Sequence, residues 1–369
     1  MGFRCGIVGL PNVGKSTIFN ALTAAGIESA NYPFCTIEPN VGMVPVPDAR
    51  LDKLAEMVNT RNKVNAQMEF VDIAGLVSGA SKGEGLGNQF LGHIRQVDAV
   101  AHVIRCFADD NIVHVDGSID PLRDREVINT ELILADLDTV GKRLKKTAAL
   151  ARSGDSDAKV QLAVLEKIQA ALDTGKPARS VQFSRDMADA ALRLQREICL
   201  LSGKPVLYVA NVAEDDIAKG NAFVDDLRQV VAGEEGAPVV VISGAIEEEL
   251  AALGPEEHME FLQDMGLRES GLNRLVKAGY ALLGLMNYFT VGEKETRAWT
   301  IKAGMKAPQA AGVIHTDFER GFIRAEVISY DDYVACGGEA VAKEQGLWRL
   351  EGKEYVVQDG DCVNFRFNV

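Results

Sequence analysis

The chain has 369 residues, of which 47% are hydrophobic and 25% charged, and its formal net charge is −14. That length suffices for two or three domains with separate cores, and no stretch reaches the roughly 20 continuous apolar residues of a membrane span. The acid excess excludes a protein that coats DNA or RNA non-specifically, which requires clustered Lys and Arg.

The six cysteines are scattered without a Cys-x-x-Cys pair or any Cys/His ligand spacing, so reduced, mostly buried thiols are expected instead of a disulfide framework or a zinc site. Met-Gly-Phe-Arg leads straight into the first strand, which leaves no room for a cleaved leader and predicts a cytosolic protein.

The first informative stretch is Gly9-Leu-Pro-Asn-Val-Gly14-Lys15-Ser16-Thr17, between the apolar run Cys5–Val8 and the helix-like run Thr17–Leu22. This is the strand, Gly-x-x-x-x-Gly-Lys-Ser and helix order of a phosphate loop. Its glycines let backbone N–H groups face a polyphosphate and Lys15 reaches the terminal phosphates. Ser16 offers Mg²⁺ a hydroxyl.

Further apolar runs at Val41–Val46, Met68–Ile73, Ala99–Phe107, Val206–Val212 and Val239–Ile242 alternate with helix-like stretches. Together with Phe3–Val8 they predict a mainly parallel sheet wrapped by helices, an α/β fold with ligands bound at the carboxyl ends of the strands. Thr36 lies in a loop limited by two prolines and is placed to give a hydroxyl to Mg²⁺. Asp72-Ile-Ala-Gly75 ends a strand, so Asp72 can hold Mg²⁺, usually through water, and the Gly75 backbone N–H can approach the terminal phosphate. Leu76 follows, where many GTPases carry a water-orienting glutamine, so hydrolysis must use another group. The Gly-rich run Ser78–Gly87 reads as a second switch loop.

From about Arg123 to Leu201 apolar residues recur at three- and four-residue spacing, broken at Ser153–Ser156 and Thr174–Pro177. This predicts a helical hairpin inserted into the sheet domain. Lys142, Arg143, Lys145, Lys146 and Arg152 gather near its tip and suit an RNA or an acidic partner. Beyond it, Asn211-Val212-Ala-Glu214 and Ser243 end the two strands that face a base. A GTPase commonly has Asn-Lys-x-Asp at the first of these places. Here the carboxylate is one methylene further out and Val212 replaces the lysine, which removes guanine-specific fit. After Gly279 strand-like runs at Asn287–Val291, Arg297–Ile301 and Phe322–Val327, a short helix at Ala307–Thr316 and alternation through Phe367 predict a small α+β binding module.

With these motifs assembled, the chain resembles the YchF/Obg-like ATPase family over practically its whole length. The likeness also rests on Asn31-Tyr-Pro-Phe-Cys-Thr36, Gly79-Ala-Ser-Lys-Gly-Glu-Gly-Leu-Gly87 and Gly312-Val-Ile-His-Thr-Asp-Phe with Gly321-Phe-Ile-Arg-Ala-Glu-Val327. It implies an Obg-type Ras-like P-loop domain over 1–280, with a coiled-coil-like helical insertion at 123–202 and a ubiquitin-like TGS domain over 281–369. Also implied are slow, Mg²⁺-dependent hydrolysis with ATP preferred over GTP, and association with ribosomes through the insertion and the TGS domain. Transferred to this sequence, phosphate binding falls on Asn12, Val13, Gly14, Lys15, Ser16 and Thr17, magnesium on Ser16 and Thr36, and adenine on Asn211, Val212 and Glu214. His114 takes the place of the missing glutamine. A GTPase of the same fold, a small-molecule kinase and a nucleotide-stabilised adaptor are the competing readings. The kinase would need an acceptor pocket with a base, and no such constellation appears.

Overall fold

The computed structural model describes residues 3–29, 40–73, 86–109, 111–234 and 236–368. In chain order the elements are β1 (Arg4–Val8), α1 (Lys15–Ser29), β2 (Val41–Pro45), α2 (Ala49–Met57), β3 (Lys63–Val64), β4 (Gln67–Asp72), α3 (Leu86–Gln96) and β5 (Ala99–Arg105). The long helices α4 (Pro121–Arg152), α5 (Ser156–Asp173) and α6 (Arg185–Glu197) follow. Then come β6 (Val206–Asn211), α7 (Ala222–Glu234), β7 (Val239–Ile242), α8 (Gly244–Ala251), α9 (Pro255–Asp264) and α10 (Gly271–Leu282). The remainder is β8 (Leu285–Thr290), β9 (Thr296–Lys302), α11 (Ala307–Ile314), α12 (Thr316–Arg320), β10 (Phe322–Ser329), α13 (Tyr330–Ala335), α14 (Glu339–Glu344), β11 (Arg349–Glu351) and β12 (Asp361–Phe367). The chain divides into two compact units, one of Phe3–Gly42 with Glu69–Leu275 and one of Met43–Met68 with Val276–Val369.

The first unit carries the sheet strands β4-β1-β5-β6-β7, which pair in parallel. Every residue of β5 and β6 is buried, as strands covered on both faces require. Because β1 has β4 on one side and β5 on the other, the loop after it opens at the point where strand order reverses, the usual ligand crevice of such sheets.

The helical insertion has three helices rather than two, since α6 joins the α4–α5 hairpin. Pro121 opens α4, with Asp120 capping the Arg123 N–H at 3.0 Å, and Asp155 caps α5 through the Ala158 N–H at 3.0 Å. Val140, Val164, Leu165 and Ile168 are fully buried between the helices, each worth about 1.5–3 kcal/mol. At the root, the Asp136 carboxylate accepts from Leu201 N (2.9 Å), Ser202 N (2.8 Å) and Ser202 Oγ (2.6 Å), which fixes the returning chain. Burial raises the Asp136 pKa above the carboxylate range, although these three donors pull it back. Arg125 Nε donates to Tyr208 Oη on β6 at 3.1 Å.

The second unit is a mixed sheet, β11-β10-β12-β8-β9-β3. β8 and β12 pair in parallel, and β8–β9, β10–β12 and β10–β11 are antiparallel. Its core gathers Tyr288, Phe322, Val327, Val363 and Phe365 under Ala307, Ala310 and Ala311 of α11. The Met43–Met68 excursion belongs here because β3 pairs with β9 and because Arg50 bridges two carboxylates. Arg50 donates to Asp48 at 2.9 and 3.0 Å and to Asp359 at 2.9 and 3.1 Å. Burial works to raise the Asp48 pKa, but hydrogen bonds from Arg50 and Asn287 outweigh it and hold that carboxyl below its usual range.

The helix expected over Ala307–Thr316 is instead two. His315 is extended (φ −161°, ψ 144°) between α11 and α12, and its Nδ1 accepts the Asp317 N–H at 3.2 Å. Among the described cysteines, Cys5, Cys106 and Cys362 are buried and free, and burial pushes their thiols up to about 12. Cys199 is exposed. Among the described residues no helix is long and apolar enough to cross a membrane.

Candidate nucleotide site

The loop after β1 is shaped by two left-handed residues, Asn12 (φ 62°) and Gly14 (φ 89°). Asparagine tolerates that region, whereas Gly14 is required twice over, since a Cβ there would also run into the Asn211 carboxamide nitrogen. The chain then enters α1, whose Ile18 N–H bonds Gly14 O at 3.0 Å. The preceding amides are thus the orphan donors of a helix start. Val13 is buried behind the loop and Ser16 is exposed at the first turn.

Asn211, at the end of β6, braces this loop. Its Nδ2 donates to Val13 O at 2.9 Å and its Oδ1 accepts the Gly244 N–H at 2.9 Å, so both ends of one buried carboxamide tie the phosphate loop to the start of α8. Beside them a cavity of about 700 Å³ is lined by Asn12, Gly14 and Thr17, by Phe107, Asp109 and Ile112, and by Asn211, Val212, Glu214, Ser243 and Glu248, among others. The Ser243 hydroxyl is buried and has no hydrogen-bond partner among the described residues. Although Ser243 is the N-cap residue of α8, its side chain makes no cap bond. Glu214, Asp215, Asp109 and Glu248 leave exposed carboxylates on the rim.

At the other end of the loop Lys15 Nζ is ion-paired with the Asp72 carboxylate, both side chains being mostly buried. Ser16 Oγ and the Asp72 carboxylate are hard oxygen donors of the type Mg²⁺ takes, and the lysine pairing shows that Asp72 faces a position where a cation is favoured. Thr36, Gly75, Leu76 and the Gly-rich run through Gly85 lie outside the described residues.

His114 does not line the cavity. It is buried, with Nε2 2.7 Å from Asp124 Oδ2 and Nδ1 accepting the Asp116 N–H at 3.2 Å. Arg123 covers the same carboxylate, its Nη2 3.0 Å from Asp124 Oδ1. Spacing alone gave no signal for Asp124 as the histidine's partner, ten positions on at the start of α4.

A glycine loop at a strand-order reversal, opening a helix and facing a cavity closed by the ends of β6 and β7, defines a P-loop nucleotide-binding protein. The comparisons carry this further. A model for the C-terminal part of YchF GTPases, described as a protein of unknown function, matches residues 285–368, and one described as a 50S ribosome-binding GTPase matches residues 4–136. The ribosome-binding ATPase YchF of Bacillus subtilis is 58% identical, with all of both chains covered, and that of Escherichia coli O157:H7 is 56% identical with the same coverage. The solved Schizosaccharomyces pombe YchF GTPase is 38% identical and superposes with a TM-score of 0.89, covering 99% of this chain and 98% of that one. The chain belongs to the YchF family.

Proposed function

We propose that the protein binds and hydrolyses ATP with Mg²⁺, and that the ribosome reads its nucleotide state. The observation that carries this is that the phosphate loop and the Asn211-Val-Ala-Glu214 turn line one cavity. The bacterial relatives are named ATPases and the Schizosaccharomyces pombe structure a GTPase, so the base end has to decide. Glu214 can only accept hydrogen bonds, which suits the single exocyclic amine of adenine, and Val212 offers an apolar wall without the lysine stem that covers guanine.

In this reading Lys15 leaves Asp72 to neutralise charge developing on the terminal phosphates. Ser16 and Asp72, with Thr36, hold the metal, which supplies charge neutralisation between phosphates when bound. Asn12 to Thr17 cradle the phosphates, the Gly75 N–H approaches the last of them, and Ser243 offers its free hydroxyl at the base end. His114 takes the role of orienting the attacking water. Since both its nitrogens are engaged, it must exchange Asp124 or Asp116 for that water, which suits slow hydrolysis by the free protein.

The ribosome contact falls on the helical insertion and on residues 281–369, which we read as a TGS module. The insertion's basic cluster is narrower than its composition, because Lys142 is paired with Asp138 and Arg143 with Glu197. Lys145 and Lys146 are exposed and remain for phosphate contacts. A cytoplasmic location follows from a ribosomal partner.

The test is phosphate release from ATP and GTP, with and without ribosomes. ATP turnover faster than GTP, raised by ribosomes and lowered by roughly 100-fold or more in Lys15→Ala, is expected. Wild-type turnover in Lys15→Ala would sink the assignment.

A further inference from the structure

Arg105 ends β5 and is almost wholly buried. A guanidinium in such a place commonly meets a carboxylate, but the partners here are backbone carbonyls from a single loop. Nε donates to Phe107 O at 3.1 Å, Nη1 to Ile112 O at 2.9 Å and Nη2 to Asp109 O at 3.2 Å. The guanidinium carbon also lies 4.6 Å from the centre of the Phe107 ring. The loop is therefore wrapped around this side chain.

Phe107, Asp109 and Ile112 also line the nucleotide cavity, together with Val212, Glu214 and Ser243. Lys15 and Asp72 are not among its lining residues. Both ends of the loop are tied to neighbouring site elements, since Cys106 N donates to Asn211 O at 2.7 Å and Asn12 Nδ2 to Val113 O at 3.1 Å. Between those ties, the carbonyls of Phe107, Asp109 and Ile112 converge on Arg105.

We propose that Arg105 is a positioning residue that holds Phe107, Asp109 and Ile112 against the base and ribose of the bound nucleotide, without touching the nucleotide itself. This rests on the nucleotide reading of the cavity. The planar fork of arginine matches three carbonyls at once, whereas a lysine ammonium keeps the charge but not the fork.

The experiment is calorimetric titration of wild type and Arg105→Lys with ATP, ADP and inorganic tripolyphosphate, the last having no base or ribose. The expected result is ATP and ADP binding weakened at least fivefold by the substitution, with tripolyphosphate within twofold of wild type. Equal weakening of all three, or unchanged ATP and ADP binding, overturns the proposal. Should Arg105→Lys fail to fold, Arg105→Gln keeps N–H donors for the carbonyls without the fork or the charge, and the same split between base-bearing and base-free ligands is expected. A uniform loss or none again overturns it. Failure of the wild type to bind ATP would instead defeat the nucleotide reading, so the two failures are separable.

Discussion

The two units use polar side chains to different ends. In the unit of the phosphate loop, Asn211, Arg105 and Asp136 are matched to backbone amides, carbonyls and a hydroxyl, and each fixes a loop or a returning chain. In the other unit Arg50 stands between Asp48 and the exposed Asp359 and joins positions 309 apart in sequence. Arg105, satisfied by neutral dipoles, keeps its charge beside the nucleotide cavity. Arg50 instead holds distant segments of its unit together.

The strongest way to break that comparison is Arg50→Met. Removing the guanidinium leaves Asp48 and Asp359 held, among the described residues, only by N–H donors of Asn287 and of the residue-50 backbone, and about 2 kcal/mol should be lost from the second unit. Both tryptophans, Trp299 and Trp348, lie in that unit, so urea unfolding followed by tryptophan fluorescence reads it directly. ATP affinity should stay within twofold of wild type. An unmoved midpoint would show that the bridge contributes nothing. A smaller effect sharpens the base end of the first unit. Val212→Lys with Glu214→Asp should shift preference toward GTP by about tenfold, roughly 1.4 kcal/mol, and equal calorimetric affinities of the unaltered protein for ATP and GTP would refute the base argument.

The smallest effect is a pH dependence of opposite sign in the two units. The raised Asp136 pKa means the folded state holds that proton longer than the unfolded chain. Its stabilising contribution is therefore present at acid pH and lost as pH rises from the ordinary carboxylate range through the raised value. Asp48 is lowered, so its contribution is present above the ordinary range and lost as pH falls through the folded value. Helical circular dichroism of Asp136→Asn should show a flatter stability profile across the carboxylate range than the parent. Identical profiles would remove Asp136 as the cause.

The parallel sheet could be read from the sequence because strands buried on both faces are continuous apolar runs, and all six runs are strands. The phosphate loop was legible because its chemistry needs glycines and a lysine at fixed spacing. The place of Met43–Met68 was not, since it depends on Arg50 finding a carboxylate near the far end of the chain, and periodicity carries no information about such pairs. Arg105 was equally hidden. A cation at a strand end reads as solvent-facing, and only the fold shows three carbonyls turned toward it. The break between α11 and α12 is likewise invisible to spacing, because the turn at His315 depends on a local side-chain bond inside an otherwise helical pattern.

Helix α4 has the proportions of a lever arm. It is pinned near its first turn by Asp124 to His114 and by Arg125 to Tyr208 and again at Asp136 by Leu201 and Ser202, and it then runs to Arg152 at 1.5 Å per residue, about 24 Å. A rotation of about 5° there would carry the far end about 2 Å, by the geometry of a rigid helix. That is enough to stretch a hydrogen bond at the exposed end of the insertion past its working length.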